Sequence, residues 1–201
     1  MERYNLGLIT KKVYQSRLCF FTLKTLKDIL EIKKEASLFS VVNKLLKADI
    51  LKKIERNKYL LKDAQISDFA LANFLYQPSY ISFESALNFS GTLSQFPYEI
   101  SSVTPRKTIK KEFEGKIFTY TMIKRELFWG YEKKENFLIA FPEKALLDQI
   151  YLASKGQKSL NFGEYNLENI SISKFKKYLA KYPKTRQFKS VLRKVKPYLN
   201  L

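Results

Sequence analysis

The sequence predicts an α+β protein of two domains, a small helical one over residues 1–64 and a larger mixed α/β one over residues 67–201 that ends in basic helices. Apolar residues recur at helical spacing in the first 50 positions, alternate as in strands near 98–104 and 116–123, and return to helical spacing beyond position 141. With 201 residues, of which 45% are hydrophobic, the chain is long enough for two packed cores.

The excess of positive charge lies at the two ends of the chain. Residues 1–62 hold 15 basic and 6 acidic side chains (net +9), residues 63–149 hold 10 and 11 (net −1), and residues 150–201 hold 12 and 2 (net +10). Basic surfaces attract phosphates, and the release of condensed counterions strengthens such binding. The pattern therefore favours a polyanionic partner; the alternative is a generally lysine-rich composition.

Histidine and cysteine usage argues against an enzyme. The absence of histidine removes histidine-based triads and zinc sites, and the single Cys19 cannot build a thiolate cluster. We therefore expect no catalytic residue, no cofactor and no metal. Cys19 lies in an apolar run, which favours a buried thiol, and a lone cysteine fits the cytoplasm. No apolar stretch approaches the roughly 20 residues of a membrane span, and the first residues lack a signal peptide's apolar segment.

Two carboxylate–lysine pairs resemble catalytic arrangements but have plainer explanations. Glu114 and Lys116 match the end of a metal-dependent nuclease motif, yet the strand-borne aspartate that should precede them is missing, so a turn between strands is favoured. Glu143 and Lys144 together with Asp148 resemble an acid–base cluster, but Glu143 and Lys144 fit better in the first turn of a helix, as an N-terminal carboxylate and a surface cation.

Helical and strand patterns alternate through the first domain. Residues 3–16 predict a helix, residues 18–21 a short strand, and Thr22 or Thr25 the cap of a second helix. Residues 36–49 predict a third helix with one apolar stripe, formed by Leu38, Val41, Val42, Leu45 and Leu46.

The opposite face of this third helix carries the residue types that a helix in a DNA major groove uses. Hydroxyls and amides read base edges, and lysines meet phosphates or guanine; here they are Ser37, Ser40, Asn43, Lys44 and Lys47. Two apolar-rich runs then flank a basic tip, which predicts a hairpin, and asparagine tolerates left-handed backbone geometry at such a turn. The expected contacts of this wing are Lys53, Arg56, Asn57 and Lys58.

Three helices followed by a basic hairpin is the order of a winged helix-turn-helix, and we expect double-stranded DNA as its partner. Two alternatives stay open. The first is a winged helix that binds another protein. The second is an ordinary pair of helices followed by a surface turn.

A polar linker over residues 62–66 leads to the larger domain, in which helices precede strands. Ser67 and Ser82 are predicted to cap two helices, the second with Phe83, Phe89 and their apolar neighbours pointing inward. A strong helix starts near residue 141 with proline in its first turn. Further predicted elements are residues 106–111 (a basic loop or short strand), 98–104, 116–123, 128–131 and 136–140 (strands), and 171–201 (two basic helices divided near Pro183).

Three short motifs follow one another in an order that one protein family shares. Residues 80–91, YISFESALNFSG, are similar to a YISHxSALxxHGL helix; residues 103–107, VTPRK, to a VATPRR strand and basic turn; and residues 141–148, FPEKALLD, to an ATPEKALLDLL helix. With a winged helix before them, these motifs make the chain resemble the AbiEi-type antitoxins of type IV (abortive infection) toxin–antitoxin systems. Phe83 and Ser90 stand where the family often has histidine.

The resemblance implies two roles. The winged helix would bind inverted repeats in its own promoter and repress the operon. The C-terminal domain would counter a cognate nucleotidyltransferase-like toxin, without requiring a stable complex. The alternative is a plain winged-helix transcription regulator whose second domain senses a ligand or mediates assembly.

The basic residues of the larger domain have three interpretations. They form a second phosphate-contacting surface, a docking face for an acidic or RNA-bearing partner, or an ordinary solvated face. The candidates for such a surface are Arg106, Lys107, Lys177, Lys181, Arg186 and Arg193.

Overall fold

The computed structural model describes residues 5–160 and 162–199. These residues form a mixed α+β structure with eight α-helices and two sheets. The chain divides into two compact units, Met1–Ser67 and Asp68–Leu201, called here the N-terminal and the C-terminal unit. Each unit contains one of the two sheets.

The N-terminal unit consists of three helices and a small antiparallel sheet. Its elements are α1 (Leu6–Gln15), β1 (Phe20–Thr22), α2 (Leu23–Leu30), α3 (Glu35–Lys47), β2 (Leu51–Glu55) and β3 (Lys58–Leu61). β2 and β3 form a hairpin, and β1 pairs with the other side of β3, so the strand order is β1-β3-β2.

The predicted apolar stripe of α3 forms much of this unit's core. Its Leu38, Val41, Val42 and Leu45 are buried against residues of α1, α2 and β2. Thr22 caps α2, because its hydroxyl accepts a hydrogen bond from the backbone N–H of Thr25 at 3.1 Å. The core is thus built from the faces that helical periodicity predicts.

Three expectations for this unit are corrected by the structure. The strand expected at residues 18–21 is Phe20–Thr22, because pairing with β3 sets its register. Cys19, which precedes that strand, is only half-buried. The first helix starts at Leu6, where the side chain of Asn5 caps it, and not at residue 3; residues 3 and 4 lie outside the described part of the chain.

The C-terminal unit combines five helices with a six-stranded sheet. Its elements are α4 (Asp68–Leu75), β4 (Tyr80–Ile81), α5 (Phe83–Phe89), β5 (Ile100–Thr104), β6 (Ile109–Phe113), β7 (Lys116–Met122), β8 (Tyr131–Lys134), β9 (Phe137–Ala140), α6 (Pro142–Ala153), α7 (Ile172–Leu179) and α8 (Arg186–Val195). The strand order is β6-β7-β5-β4-β9-β8. β5 is parallel to β7 and β4 is parallel to β9, whereas the other neighbours are antiparallel.

Several predictions for this unit are also corrected. The strand expected at residues 128–131 begins only at Tyr131, because a short 3-10 helix at Arg125–Leu127 precedes it. By contrast, the prediction of a basic loop or short strand over residues 106–111 is confirmed, because this segment leads into the edge strand β6. Phe89 is 48% exposed at the end of α5, with one edge of its ring against Phe69 and Phe137.

A buried ion pair lies in the C-terminal unit. Lys144 and Asp148 are one turn apart in α6 and pair through Nζ and Oδ1, and neither side chain is exposed to solvent. The prediction that Lys144 is a surface cation is therefore wrong. The reason is tertiary: every residue from 143 to 152 in α6 is buried, so this helix has no solvent face over that span.

Three hydroxyl groups complete the network around this pair. Tyr80 and Ser82 donate to Oδ2 of Asp148 at 3.0 and 2.9 Å. Tyr182 donates to Oδ1 at 2.7 Å, and Nζ of Lys144 donates to the hydroxyls of Tyr80 and Tyr182, each at 2.9 Å. The hydroxyl of Ser82, predicted as a helix cap, is thus used in the core. The network joins β4, α6 and the segment between α7 and α8.

Aromatic rings and a glycine enclose the lysine side chain. Nζ of Lys144 lies 5.1 Å from the ring centroid of Trp129 and 5.3 Å from that of Tyr182. Gly130 has a φ of +77°, and a Cβ at this position would lie 2.9 Å from Cγ of Lys144. Glycine is therefore required here both for its backbone conformation and for the close approach.

Burial also shifts the pKa values of the ionisable groups in the network. Desolvation lowers the pKa of Lys144, and the neighbouring Asp148 opposes that effect without cancelling it. Desolvation, and then the charge of Asp148, raises the pKa of both Tyr80 and Tyr182 well above the ordinary value. The two tyrosines therefore stay protonated and remain hydrogen-bond donors.

Replacing the buried lysine should destabilise the C-terminal unit strongly. Lys144→Met removes the cation and leaves the Asp148 carboxylate buried without its ion-pair partner, which costs about 3–5 kcal/mol. Urea unfolding followed by the fluorescence of Trp129, the only tryptophan, measures this loss. The matched control is Lys133→Met on exposed strand β8, which should change the free energy of unfolding by about 0.5 kcal/mol or less. Equal effects of both variants would contradict the network.

The tyrosines predict a loss of stability at alkaline pH. Above about pH 10, tyrosines of the unfolded chain lose protons that Tyr80 and Tyr182 retain in the folded state, so the free energy of unfolding falls as pH rises. Lys144 acts in the opposite direction, but only below about pH 10.5, where unfolded lysine still holds its proton. Between about pH 10.5 and 11.5, the free energy of unfolding of Tyr182→Phe should fall less steeply with pH than that of the wild type, by about 1.4 kcal/mol per pH unit. The control is Tyr98→Phe, where the ring is 89% exposed; its free energy of unfolding should fall with pH as steeply as that of the wild type.

Candidate nucleic-acid interface

α3 presents a polar and basic stripe on the side opposite its core face. Ser40, Asn43, Lys44 and Lys47 are exposed, and only Ser37, one turn earlier, is half-buried. Positions 40, 43, 44 and 47 lie on one side of a helix and cover about 10 Å of its length. The structure therefore places four of the five predicted groove residues together in solvent.

The tip of the β2–β3 hairpin carries two of the predicted wing residues. Arg56 and Asn57 form the turn, and both are exposed. Asn57 has a φ of +62°, in the left-handed region that asparagine tolerates. Its carbonyl accepts a hydrogen bond from the backbone N–H of Leu23 at 3.3 Å, which holds the tip against the start of α2. Lys53, on β2, is exposed as well.

Lys58 differs from its neighbours in the hairpin. Its ammonium pairs with the Glu55 carboxylate across the turn at 2.7 Å, and both side chains are largely covered, with 24% and 31% exposed. A paired cation contributes less positive potential than a free one. The four predicted wing residues are thus unequal, and Arg56 is the most available cation at the tip.

An open groove lies beside α3 and contains an aromatic ring that was not among the predicted interface residues. The groove has a volume of about 520 Å³ and is lined by residues of α2, α3 and the hairpin tip. Phe39 lies in it and is 49% exposed. The signal was present in the sequence: Phe39 falls one position beyond the apolar stripe, on the polar side of the helix. Phenylalanine on a groove-facing helix can contact the methyl group of thymine.

The charge of this groove is balanced, unlike that of the stripe. Lys24 and Lys27 line it together with Asp28 and Glu35. The net positive charge near α3 therefore comes from Lys44 and Lys47, at the C-terminal end of the helix, and from the hairpin. The residues that line the groove do not add to it.

The basic residues predicted for the C-terminal unit are all exposed, and they come from two separate segments of the chain. Arg106 and Lys107 follow β5, whereas the other four belong to the helical segment at the end of the chain. Nζ of Lys181 lies 4.5 Å from the ring centroid of Trp129. The remaining three, on α7 and α8, are Lys177, Arg186 and Arg193.

The nuclease-like tripeptide is a turn between strands. Glu114 and Gly115, with φ of +50° and +74°, connect β6 to β7, and Lys116 pairs with Asp68 at 2.7 Å. Within residues 5–160 and 162–199, no group of three or more carboxylate or thiol side chains is arranged to hold a metal ion. None of the helices in this described part combines the length and the apolarity needed to cross a membrane.

Comparison with known protein families found no family model that matches the chain. Comparison with characterised proteins found no significant match either.

The ion pair at the hairpin predicts an asymmetry between two neighbouring cations in binding to duplex DNA. Arg56→Ala should reduce the slope of log K against log salt by about 0.9, the value for one phosphate that the protein no longer neutralises. Lys58→Ala should change that slope less, because Glu55 already neutralises the ammonium. Glu55→Gln should strengthen binding by freeing Lys58. Fluorescence anisotropy with one labelled duplex over a salt series measures all three, and equal slopes for the two alanine variants would contradict the assignment.

Proposed function

We propose that this chain is a transcriptional autorepressor and antitoxin of a type IV toxin–antitoxin operon, acting in the cytoplasm. In this proposal the N-terminal unit is a winged helix-turn-helix. α3 enters the major groove of inverted repeats in the promoter, and the β2–β3 hairpin is the wing that contacts the backbone.

The DNA-binding half of the proposal is supported by one observation above all. The exposed stripe of α3 carries amide, hydroxyl and ammonium groups, and the hairpin of the same unit carries an exposed arginine at its tip. Asn43 and Ser40 offer hydrogen-bonding groups to base edges, while Lys44, Lys47 and Arg56 offer charge to phosphates. The net +9 of residues 1–62 supplies the long-range attraction.

The antitoxin half is supported by the way in which the family-like motifs meet. Tyr80 and Ser82, from the YIS motif, donate to Asp148, from the PEKALLD motif, and Lys144 of the second motif donates to Tyr80. Motifs more than 60 residues apart thus form one buried network. That arrangement gives both motifs a physical reason to occur in the same chain.

The alternative function is a plain winged-helix regulator whose C-terminal unit senses a ligand or mediates assembly. The two differ in their genomic setting. An antitoxin requires an adjacent gene for a nucleotidyltransferase-like toxin, and co-expression of this chain should restore growth to cells that express that toxin. Failure of the rescue would remove the antitoxin role and leave the regulator.

The first test is binding of the purified protein to its own upstream DNA and to a scrambled duplex, over a range of salt. We expect a preference for the upstream repeats that survives higher salt, because base contacts depend less on salt than phosphate contacts do. Ser40→Ala and Asn43→Ala should relax the preference, whereas Asn136→Ala, at an exposed turn of the C-terminal unit, should not. Equal and steeply salt-dependent binding to both duplexes would refute sequence-specific repression.

A further inference from the structure

Two arginines leave the sheet of the C-terminal unit at the same end. β5 and β7 are parallel and adjacent, and their register places Thr104 opposite Met122, the last residue of each strand. Arg106 and Arg125 follow these strand ends by two and three residues. Carboxyl ends of neighbouring parallel strands are where open α/β sheets bind ligands.

A cleft of about 500 Å³ lies at this end of the sheet. Its apolar wall comes from Pro78, Pro105 and Phe128, and both arginines line it. The ring of Phe128 packs against that of Tyr80, at a centroid distance of 5.1 Å, so its position is set by the core. The cleft therefore combines a fixed apolar surface with two guanidinium groups.

The guanidinium of Arg106 is held in place without a carboxylate. Its Nη1 donates to the carbonyl of Gln77 at 2.8 Å, and the group lies 4.6 Å from the ring centroid of Tyr76. Its backbone N–H donates to Oγ1 of Thr104 at 3.2 Å. Because the side chain is already held in place before a ligand arrives, it loses less conformational entropy when the ligand binds.

The acid that follows Arg125 in the chain does not pair with either arginine of the cleft. Glu126 faces Lys124 at 3.5 Å, and among the described residues no carboxylate pairs with Arg106 or Arg125. Arginine forks match phosphate oxygens in a bidentate manner, which makes paired arginines typical of phosphate sites. The cleft is therefore prepared for an anion.

We propose that this cleft binds the terminal phosphate of a nucleotide, with the flat base against Phe128 and the prolines and the phosphate between Arg106 and Arg125. All residues of the site belong to the C-terminal unit, and the proposal does not depend on DNA binding by the N-terminal unit. The same chemistry is offered by a free nucleoside monophosphate and by the 5′-phosphate of a short oligonucleotide.

Titration of the full chain with AMP, followed by Trp129 fluorescence and by calorimetry, tests the site. Trp129 is the only tryptophan and is next to Phe128 in the chain. We expect saturable binding of AMP, and binding of adenosine weaker by about tenfold or more, because adenosine lacks the charged hydrogen bonds of the phosphate. A 5′-phosphorylated dinucleotide compared with its unphosphorylated form shows whether the end of an oligonucleotide serves as well as free AMP.

Substitutions locate the binding. Arg125→Gln should weaken AMP binding by about tenfold or more, and because this side chain is exposed and unpaired among the described residues, the thermal unfolding of the chain should not change. Arg106→Lys keeps the charge but removes the planar fork, so it should weaken AMP binding as well. Lys133→Gln, an equal charge change at an exposed position of β8, is the control and should bind as the wild type does.

Three results would overturn the proposal. They are unchanged affinity in Arg125→Gln, equal affinity for adenosine and AMP, and an equally large decrease in Lys133→Gln, which would indicate only general attraction to a basic protein. Operator preference and AMP binding are measured separately, so the failure of either proposal leaves the other standing.

Discussion

The C-terminal unit depends on one buried ion pair, Lys144 with Asp148. Removing two charges from water costs several kcal/mol for each ion, and their attraction offsets that cost only when the remaining hydrogen-bonding positions are filled. Here Tyr80, Ser82 and Tyr182 fill them. Each of these groups must be present at its place for the pair to be tolerated. The buried pair is therefore stable only when β4, α6 and the segment after α7 all occupy their native positions.

This condition matters most for the basic helices that follow. Residues 171–199 contain ten lysines and arginines and no acidic residue, so the segment repels itself. Its helices α7 and α8 nevertheless pack against α6, and Phe175, Tyr182 and Phe188 are buried, the last two with their rings stacked at 5.7 Å. Tyr182 belongs both to this apolar contact and to the network. The fold thus holds many like charges on a fixed scaffold.

The network also reaches the proposed nucleotide cleft. Tyr80 contacts Asp148 on one side and the ring of Phe128 on the other. The wall of the cleft is therefore positioned by the same groups that stabilise the core. In the N-terminal unit, one hydrogen bond from the backbone N–H of Leu23 to the carbonyl of Asn57 holds the exposed hairpin turn against α2. In both units the proposed binding surface is held by a small number of buried or backbone contacts.

The helices and the hairpin of the N-terminal unit could be predicted because their signals are local. The apolar stripe of α3, the cap at Thr22 and the tolerance of Asn57 for a left-handed turn are each contained in a few neighbouring residues. The polar stripe of α3 follows from the same periodicity, since the face opposite a core stripe is exposed. Most of the candidate interface was therefore accessible from the sequence.

The availability of the buried cation was decided by tertiary structure. Lys144 is the same residue type as Lys44, yet it is buried because the elements around α6 cover it, whereas Lys58 pairs with Glu55, three positions away in the same hairpin. The meeting of Arg106 with Arg125 depends on the parallel register of β5 and β7, which pairs residues 18 positions apart at Thr104 and Met122. Composition and periodicity determined which segments are helices and where positive charge is concentrated. Whether Lys144 meets solvent, and whether Arg106 and Arg125 line one cleft, depends on long-range packing, which local sequence patterns do not encode.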